Sequence, residues 1–98
     1  MPFPTWTLIS THGLVLFHIA LNGNSTMREI ADELGITERR VAQIIKDLSD
    51  ADMLAAVRNG RRNNYAVNID AHFMAPPVDS IRIADFLSLV DTRRVSVA

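Results

Sequence analysis

Arg39, Arg40, Gln43 and Lys46 fall within one short stretch of the chain, and Arg61, Arg62 and Asn63 form a second polar cluster downstream. Arginine and glutamine are the side chains whose paired hydrogen-bonding groups match guanine and adenine edges in a duplex major groove. Arginine, lysine and asparagine also donate to phosphate oxygens, which fixes a protein on a duplex without reading its sequence. The chemistry these residues suit is recognition of nucleic acid, not bond breaking. No rival appears elsewhere in the chain. Cysteine is absent, which excludes disulfides, thiolate metal sites and iron–sulfur ligation. His12, His18 and His72 lack metal-ligand spacing, and no glycine-rich phosphate loop or nucleophile motif occurs. An isolated histidine in an apolar helix is more often a packed or hydrogen-bonded residue than a ligand. The chain is therefore expected to be no enzyme and to carry no metal or cofactor.

The charge of the chain tempers this reading. A net charge of −1 is unlike the strongly basic balance of many nucleic-acid binders. Its distribution is more favourable. Over residues 37–64, Arg39, Arg40, Lys46, Arg58, Arg61 and Arg62 outnumber Glu38, Asp47, Asp50 and Asp52. The cations cluster at a helix start and a hairpin tip, and the anions trail toward the helix end. The electrostatic part of binding is expected to be modest. Ninety-eight residues with 48% apolar and 21% charged side chains fit one compact domain. No apolar run is long enough to cross a bilayer, and Met1-Pro-Phe-Pro-Thr-Trp6 lacks the basic start of a secretion signal. The expected compartment is the cytoplasm, with no membrane partner.

The elements that must position these side chains follow from local signals. Thr26 and Glu29 have the spacing of a capping box, and Met27, Ile30, Ala31 and Leu34 then repeat at helical intervals. Gly35 can end that helix at positive φ without a Cβ penalty. Thr37 is placed to cap a third helix over about 37–51, whose inward stripe is Val41, Ile44, Ile45 and Leu48. At about 100° per residue, Arg39, Gln43 and Lys46 then point away from the core, with Arg40 and Asp47 flanking them. Small Ala31, turn-forming Gly35 and angle-filling Val41 together specify a helix-turn-helix. A solvated polar face is the commoner fate of such side chains, but the preceding turn favours the functional reading. After Met53 the period becomes alternating. Leu54 to Arg58 and Tyr65 to Ile69 read as strands, with Tyr65, Val67 and Ile69 on one face. Asn59-Gly-Arg-Arg-Asn-Asn64 joins them as a wing over 59–64, whose tip suits phosphates or a minor groove.

The flanking pieces are apolar. Residues 1–10 form an N-terminal arm, on which Trp6 is expected to be buried against a neighbouring helix. The first helix, from Thr11 to Leu21, leaves almost no polar face and needs cover on more than one side. The winged helix-turn-helix domain spans 11–70, and a linker over 71–78 carries Pro76-Pro77, which stops a helix before it. Asp79 or Ser80 is expected to cap a last helix over 79–92, followed by a frayed tail from Arg93. Ile83, Phe86, Leu87 and Val90 help cover most of that helix with apolar surface, which one small domain cannot bury. It is expected to pair two copies as a homodimer, with Trp6 contributing. The fold class is mainly α with a small β-hairpin: a winged helix-turn-helix with an additional C-terminal dimerisation helix.

With these segments, the chain resembles the small stand-alone winged-helix transcriptional regulators of bacteria and archaea, in the broad MarR/ArsR-like group. The resemblance runs through Trp6-Thr7, Thr11-His12, Gly35-Ile-Thr-Glu-Arg39, Gln43-Ile44, Asp47-Leu48, Gly60-Arg-Arg-Asn63 and Tyr65-Ala-Val67. It implies a homodimer binding double-stranded DNA through the third helix and the wing, with Thr26, Thr37, Arg39, Arg40, Gln43, Lys46, Arg61, Arg62 and Asn63 in contact. Asp52 stands where relatives often have glycine, Ala55 and Ala56 where they often have polar or basic residues, and Asn64 where they often have arginine. The alternative is a winged-helix module that binds protein and not DNA.

Overall fold

A computed structural model of the chain describes residues 6–59 and 62–97, with side chains described over 6–57 and 64–90. In order come α1 (Thr11–Leu21), α2 (Met27–Leu34), α3 (Glu38–Asp50), β1 (Leu54–Asn59), β2 (Arg62–Val67) and α4 (Ile83–Val97). This is the mainly helical winged helix-turn-helix that the periodicity implies. Each N-terminus is set by a side-chain oxygen that satisfies an otherwise orphaned backbone donor. Ser10 accepts from the Gly13 N–H at 3.1 Å to start α1. Thr26 accepts from the Glu29 N–H at 3.1 Å while Glu29 accepts from the Thr26 N–H at 3.0 Å, completing the capping box of α2. Thr37 accepts from the Arg40 N–H at 3.0 Å to start α3.

The helix ends use left-handed residues. Gly35 sits at φ 70 and stops α2. Asp52 sits at φ 60 just beyond α3, in the position where glycine would carry no Cβ penalty. The Asp52 N–H bonds the Ser49 carbonyl at 3.1 Å and the Met53 N–H bonds the Leu48 carbonyl at 2.9 Å, a Schellman arrangement. A left-handed conformation costs an L-residue about 1–2 kcal/mol, less for aspartate, and glycine gives part of that back through its freer unfolded chain. Asp52→Gly is therefore expected to stabilise the fold by up to about 1 kcal/mol in a thermal melt. A less stable Asp52→Gly protein would show that the carboxylate itself holds the turn.

The hairpin pairs antiparallel from Leu54↔Val67 to Asn59↔Arg62. The second strand thus lies earlier than the expected Tyr65 to Ile69, because pairing runs up to the tip instead of leaving a six-residue loop. Arg62, Asn63 and Asn64 belong to β2, and Arg61, expected at the tip, lies outside the described residues together with Gly60. Tyr65 and Val67 are half-buried against the core, whereas Ile69 lies beyond the strand and is exposed. Its backbone is used instead, its carbonyl accepting from the Ala84 N–H at 2.9 Å.

The same pairing corrects the C-terminal boundaries. The helix starts at Ile83 and not at Asp79 or Ser80, because neighbouring backbone is engaged elsewhere. The Ile83 N–H bonds the Ala71 carbonyl at 2.8 Å, and the Phe73 N–H bonds the Ile81 carbonyl at 2.9 Å. Asp85 accepts from the Arg82 N–H at 3.3 Å, capping the helix where those bonds end. The helix then continues through Val97, past 92 and through most of the expected tail.

The core joins Val15, Leu16 and Ile19 of α1 with Ile30 and Ala31 of α2, Val41, Ile44, Ile45 and Leu48 of α3, and Leu54. α1 touches α2, α3, β2 and α4, so it is covered on several sides as its apolar circumference requires. Ile83, expected at a subunit interface, is 2% exposed and belongs to this core. Phe86 stacks on Phe17 with ring centroids 4.6 Å apart, and Phe73 completes an aromatic cluster. Leu87 packs against the same core. The first turns of α4 are thus seated on their own domain. Trp6, expected to be buried, is 64% exposed.

Candidate nucleic-acid interface

α3 has two chemically distinct faces. Val41, Ile44, Ile45 and Leu48 are buried, and Arg39, Arg40, Gln43 and Lys46 are exposed. Thr37 starts the exposed face and Thr26 starts α2; both hydroxyl oxygens accept a backbone N–H, leaving each O–H proton to donate outward. The structure therefore gathers Arg39, Arg40, Gln43 and Lys46 on one solvent-facing surface. Arg62 and Asn63 are placed by backbone alone, in β2 of the hairpin, whose first strand packs against α3. Arg61 remains outside the described residues.

Two carboxylates on α3, Asp47 and Asp50, are also partnered. Lys46 Nζ donates to Asp50 Oδ2 at 2.9 Å, one turn along. That hydrogen bond, reinforced by the charges of Asp50 and Asp47, holds the Lys46 ammonium above its ordinary pKa of 10.5. Lys46 stays cationic throughout the physiological range, but part of its field is spent on Asp50. Asp47 meets a different element: its Oδ2 lies 2.8 Å from His12 Nε2 on α1. A second histidine of α1 braces α2. His18 Nδ1 lies 2.9 Å from Glu33 Oε2, and its Nε2 lies 3.0 Å from Ser25 Oγ. With the ring 8% exposed, both nitrogens are satisfied inside the fold. These histidines are hydrogen-bonded, as expected for histidines on an apolar helix. The His12 partner was not foreseeable, since residues 35 positions apart carry no periodic signal.

Among the described residues, no group of three or more histidine, cysteine, aspartate or glutamate side chains could hold a metal ion. No helix among them is long and apolar enough to cross a membrane. No solved structure matches the chain significantly. A family model does: that of the MarR family covers residues 6–62, more than half of the chain, from Trp6 through the helix-turn-helix to Arg62. The match spans the second half of the arm, all three helices that precede the hairpin, and the first strand, as far as Arg62. The chain belongs to the MarR family of winged-helix regulators, which act on transcription by binding DNA.

Proposed function

We propose that the protein binds particular duplex sequences as a homodimer, with α3 in the major groove and the hairpin on the backbone or in a minor groove. One observation carries this reading: Arg39, Arg40, Gln43 and Lys46 share the exposed face of a helix whose opposite face is locked into the core. A major groove admits one helix held at such an angle. In this reading Arg39, Arg40 and Gln43 reach base edges. Thr26 and Thr37 donate to phosphates near the helix starts, Lys46 to one farther along α3, and Arg61, Arg62 and Asn63 hold the backbone beside them. α4 and the Trp6 arm join two copies, so that two α3 helices meet half-sites about one helical turn, or a multiple, apart.

Selection of bound duplexes from a random pool tests this directly. Recovery of a pseudo-palindrome is the expected result. On the recovered duplex, Arg61→Ala or Arg62→Ala should weaken binding to all sequences alike and flatten the log–log salt slope by about 0.9 per lost phosphate contact. Changes at Arg39, Arg40 or Gln43 should instead relax preference among sites, by about 1–3 kcal/mol where a bidentate base contact is lost. A protein that binds no duplex even at low salt would overturn the reading and favour a protein-binding module.

A further inference from the structure

We infer that His12 is a positioning residue for duplex binding, holding the Asp47 carboxylate of α3 toward α1 and off the face that meets DNA. The inference rests on α3 being the DNA-facing helix. Asp47 lies one helical turn beyond Gln43 and directly after Lys46, so its carboxylate is within reach of the same surface. A free carboxylate there would oppose the phosphate backbone. Asp50, the other acidic side chain in the last turns of the helix, is held within α3 by Lys46 at 2.9 Å. Lys46 therefore has its own partner, and the group that holds Asp47 comes from outside the helix.

His12 supplies that hold. Its Nε2 lies 2.8 Å from Asp47 Oδ2, the length of a charge-assisted hydrogen bond. The tie joins α1 to α3. Both side chains are partly exposed, so either can be replaced without opening the core. The bond has two consequences for binding: it occupies one oxygen of a carboxylate that would otherwise be free to face the phosphates, and it orients that carboxylate toward the scaffold. His18 meets Glu33 of α2 and Ser25 instead of any side chain of α3, and does neither.

A double-mutant cycle separates this role from a merely structural one. The probe is a fluorescein-labelled duplex of the sequence recovered from the random pool, titrated with parent protein, His12→Ala, Asp47→Asn and the double variant. His12→Ala should weaken binding roughly fivefold, the size of one unit charge felt across several ångströms of solvated interface. Asp47→Asn should recover most of that loss in the His12→Ala background and change the parent little. Equal gains from Asp47→Asn in both backgrounds, or no weakening by His12→Ala, would overturn the assignment. A double variant as weak as His12→Ala would overturn it too, because a structural brace is not rescued by removing its other end. Failure of the parent to bind any duplex would instead strike the interface reading itself.

Discussion

Ile44→Ala is expected to lower the unfolding free energy by about 3 kcal/mol, within the 2–5 range for truncating a buried isoleucine. Ile44 is 0% exposed and sits where α3 meets the rest of the core. Removing three carbons there loses their burial and leaves a void that neighbours on three helices cannot all close at once. For a domain of this size each kcal/mol shifts the melting temperature by about 4–8 °C, so the variant should melt more than about 10 °C below the parent. The adjacent residue gives the contrast. Gln43 is exposed, and Gln43→Ala should alter stability by less than about 0.5 kcal/mol while relaxing base preference. Urea unfolding and duplex binding of the two variants together test the two-faced reading of α3. A loss below about 1 kcal/mol for Ile44→Ala would mean that the helix is not seated by this stripe.

What could be read from the sequence was what is decided within a few residues. Thr26 with Glu29, and Thr37 with the Arg40 N–H, are contacts between residues three apart, so a cap is visible in the spacing of its parts. The left-handed Asp52 was hinted at only by the resemblance, since it stands where relatives often have glycine. The division of α3 into buried and exposed faces followed from its 3.6-residue period. Boundaries set by distant partners were not legible. The start of α4 depends on Ala71 and Ile69 accepting from Ile83 and Ala84, and nothing near Asp79 announces that pairing. The apolar residues of α4 were equally ambiguous. Ile83, Phe86 and Leu87 read as unpartnered surface, yet Phe17 and Phe73 reach Phe86 across the fold, and Ile83 and Leu87 join the core. The His12–Asp47 tie belongs to the same class, because a polar pair between two helices obeys no local rhythm.

That revision changes how dimer formation should be tested. Charged replacements at Phe86 or Leu87 would first undock α4 from α1, so loss of assembly there could not be separated from local unfolding. Leu89 is the cleaner position, because it is 64% exposed on the same helix. An isologous interface uses such a residue twice, and burying one leucine is worth about 1.5–3 kcal/mol. Leu89→Arg removes both contributions and would bury a cation twice in their place. The parent is expected to be dimeric by light scattering at tens of micromolar, and Leu89→Arg monomeric with unchanged helical content. Trp6 provides an independent signal as the single tryptophan of the chain. Its emission should shift to shorter wavelength as the parent is concentrated, and stay fixed in Leu89→Arg. Two linked half-site contacts gain about 10²–10⁴ over one, so Leu89→Arg should bind a two-site operator at least about a hundredfold more weakly, although α3 and the hairpin are untouched. A parent protein that stays monomeric at these concentrations would remove the dimer from the proposal, and α3 would then have to read a single half-site alone.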